Sequence, residues 1–282
     1  MIKQKKAVAI HDISCVGRCS LTVALPIISA AGVDTSIMPT AVLSTHTGGF
    51  TGYTYRDLTE DLMPIAEHWK SLNLDFDSIY TGFLGSFEQI DIVKKIVTMF
   101  RKPEQLVVVD PAMADEGKLY GIFPEAFPTK MRELCAMADV IIPNITEAAL
   151  MLGEEYVAPP YTKEYIEGLL HRIAGIGCNK IVLTGVCFDN EKLGAAAFDS
   201  VTDEINYSFA PAIEGYYHGT GDVFGSALVA GLLTDHTIAE SAEIAVTYTQ
   251  KTIELTAQTD RERRFGVCFE MVLPELIERL KK

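Results

Sequence analysis

Apolar residues occur along the chain in two alternating rhythms, short continuous runs and longer stretches in which they return every three or four positions. The runs predict strands at 6–11, 35–43, 77–81, 106–109, 139–142 and 180–184. The periodic stretches predict helices at 20–31, 58–71, 89–101, 162–175, 222–234, 237–257 and 269–281, with one more starting at Thr146. Gly32 stands where the first helix should stop, because glycine enters the left-handed turn beyond a helix without steric cost. Strands at 194–198 and 204–209, joined by a polar turn at 200–203, read as an antiparallel edge. Buried strands alternating with helices predict an α/β fold of three layers, a mostly parallel central sheet with helices on both faces. No repeat, low-complexity tract or linker divides the chain, so residues 1–282 read as one domain.

In such a sheet, ligands bind beyond the carboxyl ends of the strands. Asp12, Thr47, Gly82, Asp110, Asn144 and Thr184 all fall at those ends. The polar, glycine-rich loop at 44–52 is too long for a simple turn, and loops of that kind commonly contact a ligand.

Composition narrows the partners. A hydrophobic content of 48% supplies a real core, while a formal net charge of −14 argues against nucleic acid and anionic membrane, both of which call for a basic face. A phosphorylated small molecule stays open, since an anion site built from backbone amides adds no formal charge and a metal ion can supply the rest. The six cysteines form no C-x-x-C pair and no zinc-like cluster, which predicts free thiols in a reducing cytoplasm. The start is basic, but the apolar run at 7–10 is too short for a signal peptide, and no run of about 18 apolar residues predicts a membrane span.

The densest chemistry lies at His218-Gly219-Thr220-Gly221-Asp222-Val223-Phe224-Gly225. Glycines let the backbone tighten and approach a ligand, and the apolar run that follows predicts a buried helix whose first amides have no intrahelical partner. With the positive end of the helix dipole, those amides make a site for phosphate. Asp222 is placed to take a proton from an incoming hydroxyl, although on spacing alone it reads equally as a helix cap. The G-x-G-x-x-x-G spacing is not the dinucleotide fingerprint, and no P-loop sequence occurs. Asp110 ends an apolar strand ahead of Pro111, aimed into the crevice. Asn144 and Glu147 have the spacing of a capping box, and facing Asp110 they would also suit a Mg²⁺ ion held through water and shared with nucleotide phosphates. His46 and His218 have no partner at metal-ligand spacing and read as local hydrogen-bonding groups. The segment 115–118 reads as solvated surface or as a flap that closes over substrate, and 261–264 as a solvated turn.

Five stretches, in order and covering most of the chain, resemble the ribokinase-like superfamily and within it the pyridoxal kinases: Ser44-Thr45-His46-Thr47-Gly48, Thr81-Gly82-Phe83-Leu84-Gly85-Ser86, Asp110-Pro111-Ala112-Met113, Pro143-Asn144-Ile145-Thr146-Glu147 and Gly219-Thr220-Gly221-Asp222. The resemblance implies ATP-dependent phosphorylation of the 5′-hydroxymethyl group of pyridoxal, pyridoxine or pyridoxamine, a salvage route to pyridoxal phosphate. It implies Asp222 as general base and Gly219, Thr220 and Gly221 as amide donors to the transferring phosphoryl group. It also implies Thr47, with Tyr120 on the flap, at the pyridine ring; Asp110, Asn144, Glu147 and Thr184 at ATP and magnesium, with Asp110 and Glu147 toward the metal; a monovalent cation such as K⁺ as a further cofactor; and a homodimer. Two departures stand out: Asp12 where the family has a serine toward the ring, which would favour the amine of pyridoxamine, and Ala114 where a glycine is common in the flap. The competing readings are a hydroxymethylpyrimidine kinase, toward which Asp12 leans and away from which the His46-Thr47 loop points, and a vitamin- or nucleotide-binding protein without turnover. The second has no need of a carboxylate base beside an anion turn.

Overall fold

In a computed structural model, which describes residues 4–281, the predicted alternation of strands and helices is present. Residues 1–3 of the basic start lie outside the described residues. The chain runs β1 (Lys6–Ser14), α1 (Leu21–Ala30), β2 (Asp34–Leu43), β3 (Tyr55–Asp57), α2 (Thr59–Ser71), β4 (Ser78–Thr81), α3 (Phe87–Phe100) and β5 (Leu106–Val109). A hairpin of β6 (Ala114–Asp115) and β7 (Lys118–Leu119) follows, then α4 (Phe127–Cys135), β8 (Val140–Ile141), α5 (Ile145–Leu152) and α6 (Lys163–Ala174). Strands β9 (Lys180–Val186), β10 (Lys192–Asp199) and β11 (Glu204–Pro211) precede α7 (Thr220–Leu233), α8 (Ile238–Ala257) and α9 (Leu273–Arg279).

The main sheet has the order β11-β10-β9-β8-β5-β4-β1-β2-β3. From β1 to β2 and from β1 through β4, β5 and β8 to β9 the neighbours are parallel. Strands β10 and β11 are antiparallel as predicted, and β3 adds a second antiparallel edge that the sequence pattern did not predict. The chain steps from β1 to β2 on one side and then crosses to β4 on the other, so the carboxyl ends of β1 and β4 flank the switch point where a crevice opens. The β1–β2 register slips by one residue between His11 and Ile13, at Asp12. Irregularities of this kind re-aim a side chain next to a site.

Side chains of β1 alternate between two apolar layers. Val8 and Ile10 join the core under α2 to α6, while Ala7 and Ala9 face the layer of α1, α7, α8 and α9, where their small side chains leave room for the helices. Burying a Leu, Ile or Val side chain in either layer contributes about 1.5–3 kcal/mol, which is what holds helices of this length in place. Ser86, Asn144, Thr162 and Thr237 cap α3, α5, α6 and α8 by accepting the backbone N–H three residues on. Gly32 adopts the left-handed φ of 83° expected beyond α1.

Besides β3, other elements depart from the predicted pattern. Helix α4 and the β6–β7 hairpin stand where no element was expected, and the final helix, predicted over 269–281, is a 3₁₀ turn at Phe269–Val272 followed by α9. Pro274 forces that division, because it lacks the N–H a helix interior needs but fits a first turn. Among the described residues no helix is long and apolar enough to cross a membrane, and the cysteines are free thiols.

Candidate active site

Helix α7 begins at Thr220, so Asp222 lies inside its first turn. Gly219 is the N-cap, with φ 76° and ψ 3°, a left-handed conformation that an L side chain adopts with strain. A Cβ at 219 would also collide with the Arg18 carbonyl. Glycine is therefore required twice over, by the turn and by the close passage of the loop after β1. No side chain caps α7, which leaves its first amides facing the crevice, and a Cβ built on Gly221 meets nothing within 4 Å. The space over Gly221 is open to a ligand.

Four carboxyl groups converge around this turn. Burial pushes Asp222 up to about 7, with the Ser20 amide opposing the shift and the negative charge of Asp12 adding to it. Asp110, at the end of β5, is held well above the ordinary carboxylate range by burial, then by Glu147 and Asp222. Glu147 is raised to about 8 by burial against the pull of three backbone amides. Asp12 is raised by burial, and the hydroxyls of Ser20 and Ser14 moderate the shift by donating to it at 2.6 and 3.3 Å. Among the described residues no Lys, Arg or His is ion-paired with any of the four. An uncompensated, all-oxygen cluster is the donor chemistry that suits a hard divalent cation. No three side chains converge as a complete cage among the described residues, so water and ligand oxygens would have to complete the coordination.

The remaining candidates divide between the crevice and its frame. Glu147 and Asn144 form the capping box of α5: the Asn144 side chain accepts the Glu147 N–H at 2.9 Å, and Glu147 accepts the Asn144 N–H at 2.9 Å. Glu147 also accepts the Met113 N–H at 3.0 Å, and the Asn144 amide donates to the Ala114 carbonyl at 2.8 Å. Both side chains thus brace the base of the β6–β7 hairpin, and Glu147 would reach a metal through water. Thr184 bridges Asn144 from β9. The hairpin is tied down by the Gly117 N–H, which donates to Thr146 Oγ1 at 3.0 Å, and by the Tyr216 hydroxyl, which donates to Asp115 at 3.3 Å. Segment 115–118 is therefore an ordered hairpin in which Glu116 and Lys118 are exposed. Tyr120 follows it, with its phenol pushed up by burial and by the charges of Glu147 and Asp115. Thr47 is exposed in the loop after β2, between buried His46 and Gly48.

His46 makes the local hydrogen bond expected of it: burial lowers its pKa, and its neutral Nε2–H donates to the Arg264 carbonyl at 2.6 Å. Residues 262–264 are exposed, as expected of a solvated turn, and the segment is also tied to its surroundings: the Arg261 guanidinium donates to the carbonyls of Phe265 and Gly266, Arg263 stacks on Tyr217 and Arg264 on Phe50. Sequence reasoning also missed Ser20, which holds φ 56° and ψ −130° ahead of α1 and links Asp12 to Asp222. Nothing in its residue type announces that conformation. Cys19 was missed as well; its thiol is pushed well above its ordinary value by burial and by the charges of Asp222 and Asp12.

Known proteins share this fold. The phosphomethylpyrimidine kinase family model matches residues 25–266. A Bacteroides thetaiotaomicron protein with a provisional phosphomethylpyrimidine kinase description, crystallised in a form with pyridoxal, is 36% identical, with a TM-score of 0.92 and coverage of 97% of this chain and 96% of that one. Pyridoxal kinase from Lactobacillus plantarum is 30% identical, with a TM-score of 0.89 and 98% coverage of both chains. Pyridoxal kinase from Arabidopsis thaliana is 27% identical over 80% of this chain and 74% of its own length. With the family model matched over most of its length and its fold shared with these structures, the chain belongs to the phosphomethylpyrimidine kinase family of ribokinase-like enzymes, alongside the pyridoxal kinases.

Proposed function

We propose that the protein transfers the γ-phosphoryl group of ATP to the 5′-hydroxymethyl oxygen of pyridoxal, pyridoxine or pyridoxamine. The observation that carries this reading is the placement of Asp222, pushed up to about 7, inside the first turn of a helix whose amides are uncapped. A base with a pKa near the working pH both exists in the ionised form and holds the proton it receives. The vitamin's O–H gives its proton to the Asp222 carboxylate as its oxygen bonds to the γ-phosphorus, and the bond to the ADP oxygen breaks. Gly219, Thr220 and Gly221 present amides to the oxygens of the group in flight, where fixed dipoles need no reorganisation.

Asp110 and Glu147, the latter through water, would hold Mg²⁺, which when bound supplies charge neutralisation between the phosphates and the acidic cluster. Asn144 and Thr184 frame the nucleotide side. Thr47, Asp12 and Tyr120 line the side where the pyridine ring would lie, and the β6–β7 hairpin acts as the flap that excludes water. The same reading takes residues 1–282 as one catalytic domain, paired as a homodimer in the cytoplasm.

The test is a screen with ATP and Mg²⁺ over the three vitamers and hydroxymethylpyrimidine. The proposal expects 5′-phosphorylation of at least one vitamer at a kcat/KM about tenfold or more above that for the pyrimidine, a margin of about 1.4 kcal/mol in transition-state binding. Preferential phosphorylation of the pyrimidine, or binding without turnover, would overturn it.

A further inference from the structure

Two histidines in the site loops take no part in the mechanism above. His46 holds the Arg264 carbonyl, and His218 stands half-buried immediately before the anion turn. The 44–52 loop is wrapped around the His218 ring. A Cβ at Gly48 would fall 2.6 Å from Nδ1 and Cε1 of that ring, well inside van der Waals contact, and one at Gly49 would lie 3.5 Å from Nε2. Two successive glycines thus let the backbone close on different edges of one imidazole. His46 packs against the same ring, with centroids 5.1 Å apart. Thr47 lies between His46 and Gly48, so the chain on both sides of it rests on His218.

A further contact links this ring to the β6–β7 hairpin. Tyr216 meets His218 edge-on, with centroids 4.8 Å apart and planes at 74°, an arrangement that aromatic quadrupoles favour. The Tyr216 hydroxyl in turn donates to Asp115 of the hairpin at 3.3 Å. Tyr216 is 54% exposed, so these two contacts, and not a place in the apolar core, hold its side chain.

We infer that His218 is a positioning residue for the acceptor: it holds the backbone around Thr47, and through Tyr216 it ties that loop to the β6–β7 hairpin. One ring beside the anion turn thereby sets the loop and the hairpin relative to each other. The consequence for acceptor binding rests on the proposed function, and the coupling of loop and hairpin does not.

Hydrogen exchange on the full chain, without substrate, tests the coupling at amides that are hydrogen-bonded in the structure. At the base of the loop the Ser44 N–H donates to the Thr54 carbonyl and the Thr54 N–H to Ser44 Oγ. At the hairpin the Gly117 N–H donates to Thr146 Oγ1 and the Tyr120 N–H to the Met113 carbonyl. Tyr216→Phe keeps the ring and removes the tie. It is expected to quicken exchange at Gly117 and Tyr120 about 3- to 10-fold, the worth of one net hydrogen bond, and to leave Ser44 and Thr54 at the wild-type rate. His218→Ala is expected to quicken all four about 3- to 10-fold. Hairpin amides at the wild-type rate in either variant, or loop amides unmoved in His218→Ala, would overturn the inference. Gly48→Ala, made on the loop side of the same contact, should quicken Ser44 and Thr54 likewise, so the loop half of the test survives a His218→Ala that fails to fold.

With the best acceptor from the vitamer screen, His218→Ala is expected to raise the acceptor KM about 3- to 10-fold, with the KM for ATP within about twofold. A wild-type acceptor KM, or equal rises for both substrates, would contradict a positioning role. Failure of the wild-type protein to phosphorylate any vitamer would count against the proposed function, and the exchange pattern would still decide the coupling.

Discussion

The Ser20 hydroxyl donates to Asp12 at 2.6 Å, while the amide of the same residue is turned on Asp222. One residue in a strained conformation therefore couples the carboxylate that departs from the family pattern to the one placed to act as base. Asp12 makes ionisation of Asp222 harder, and on the proposed reading it would also present negative charge to the pyridine ring. Asp12→Ser should move the ratio of kcat/KM between pyridoxamine and pyridoxal toward pyridoxal. The same vitamer ratio in wild type and variant would mean that Asp12 does not sense the ring substituent.

The two glycines of the anion turn should respond in opposite ways. Gly219→Ala forces a side chain into a left-handed conformation and against the Arg18 carbonyl, and is expected to destabilise the protein by about 1–3 kcal/mol. Gly221→Ala adds a methyl group to open space and should leave stability within about 0.5 kcal/mol of wild type, as for other harmless surface changes. Its cost should appear in turnover, because that space is where a phosphate would sit. Thermal denaturation and steady-state kinetics on the pair check this; a stable, fully active Gly221→Ala would place the phosphate elsewhere.

Carboxyl groups with raised pKa values carry a stability signature. For Asp222 the folded value of about 7 exceeds the usual 3.9, so between those values the native state holds a proton that the unfolded chain has released. Stability from this group is therefore present at low pH and is lost as pH rises through about 7. Asp222→Asn, which cannot ionise, should raise Tm most at pH 8, less at pH 5 and little below about pH 4. Equal shifts at all three would show that Asp222 is not perturbed in the folded state.

Glu147 accepts three backbone amides, and a glutamine has only one carbonyl oxygen to offer them. Glu147→Gln should cost about 1–3 kcal/mol, the penalty for a buried donor left without an acceptor. It should also loosen the hairpin, seen as faster proteolysis between residues 113 and 119. Wild-type stability and protease resistance would remove Glu147 from the frame of the flap.

The positions that could be read from the sequence are those where local chemistry leaves little choice. The Gly219-Thr220-Gly221-Asp222 turn, the Asp110-Pro111 strand end and the Asn144-Glu147 capping box each follow from spacing and residue type, and each is found at the carboxyl end of the sheet. Strand β3 gave no signal because Tyr55, Arg56 and Asp57 are all exposed and no apolar alternation marks them. Helix α4 is nine residues with a proline in its first turn, too short for its period to stand out. The contacts of Arg264 with His46 and Phe50 and the strained backbone of Ser20 depend on partners more than two hundred residues away in one case and on a tertiary turn in the other. Those contacts exist only once the chain has folded.

The central claim is that Asp222 removes the proton while its neighbours' amides receive the phosphate, and turnover of Asp222→Asn alongside its ATP affinity tests it most directly. The account predicts ATP binding within about twofold of wild type and kcat lower by about 10² to 10⁴, the usual worth of a general base. Near-normal turnover with intact binding would contradict it.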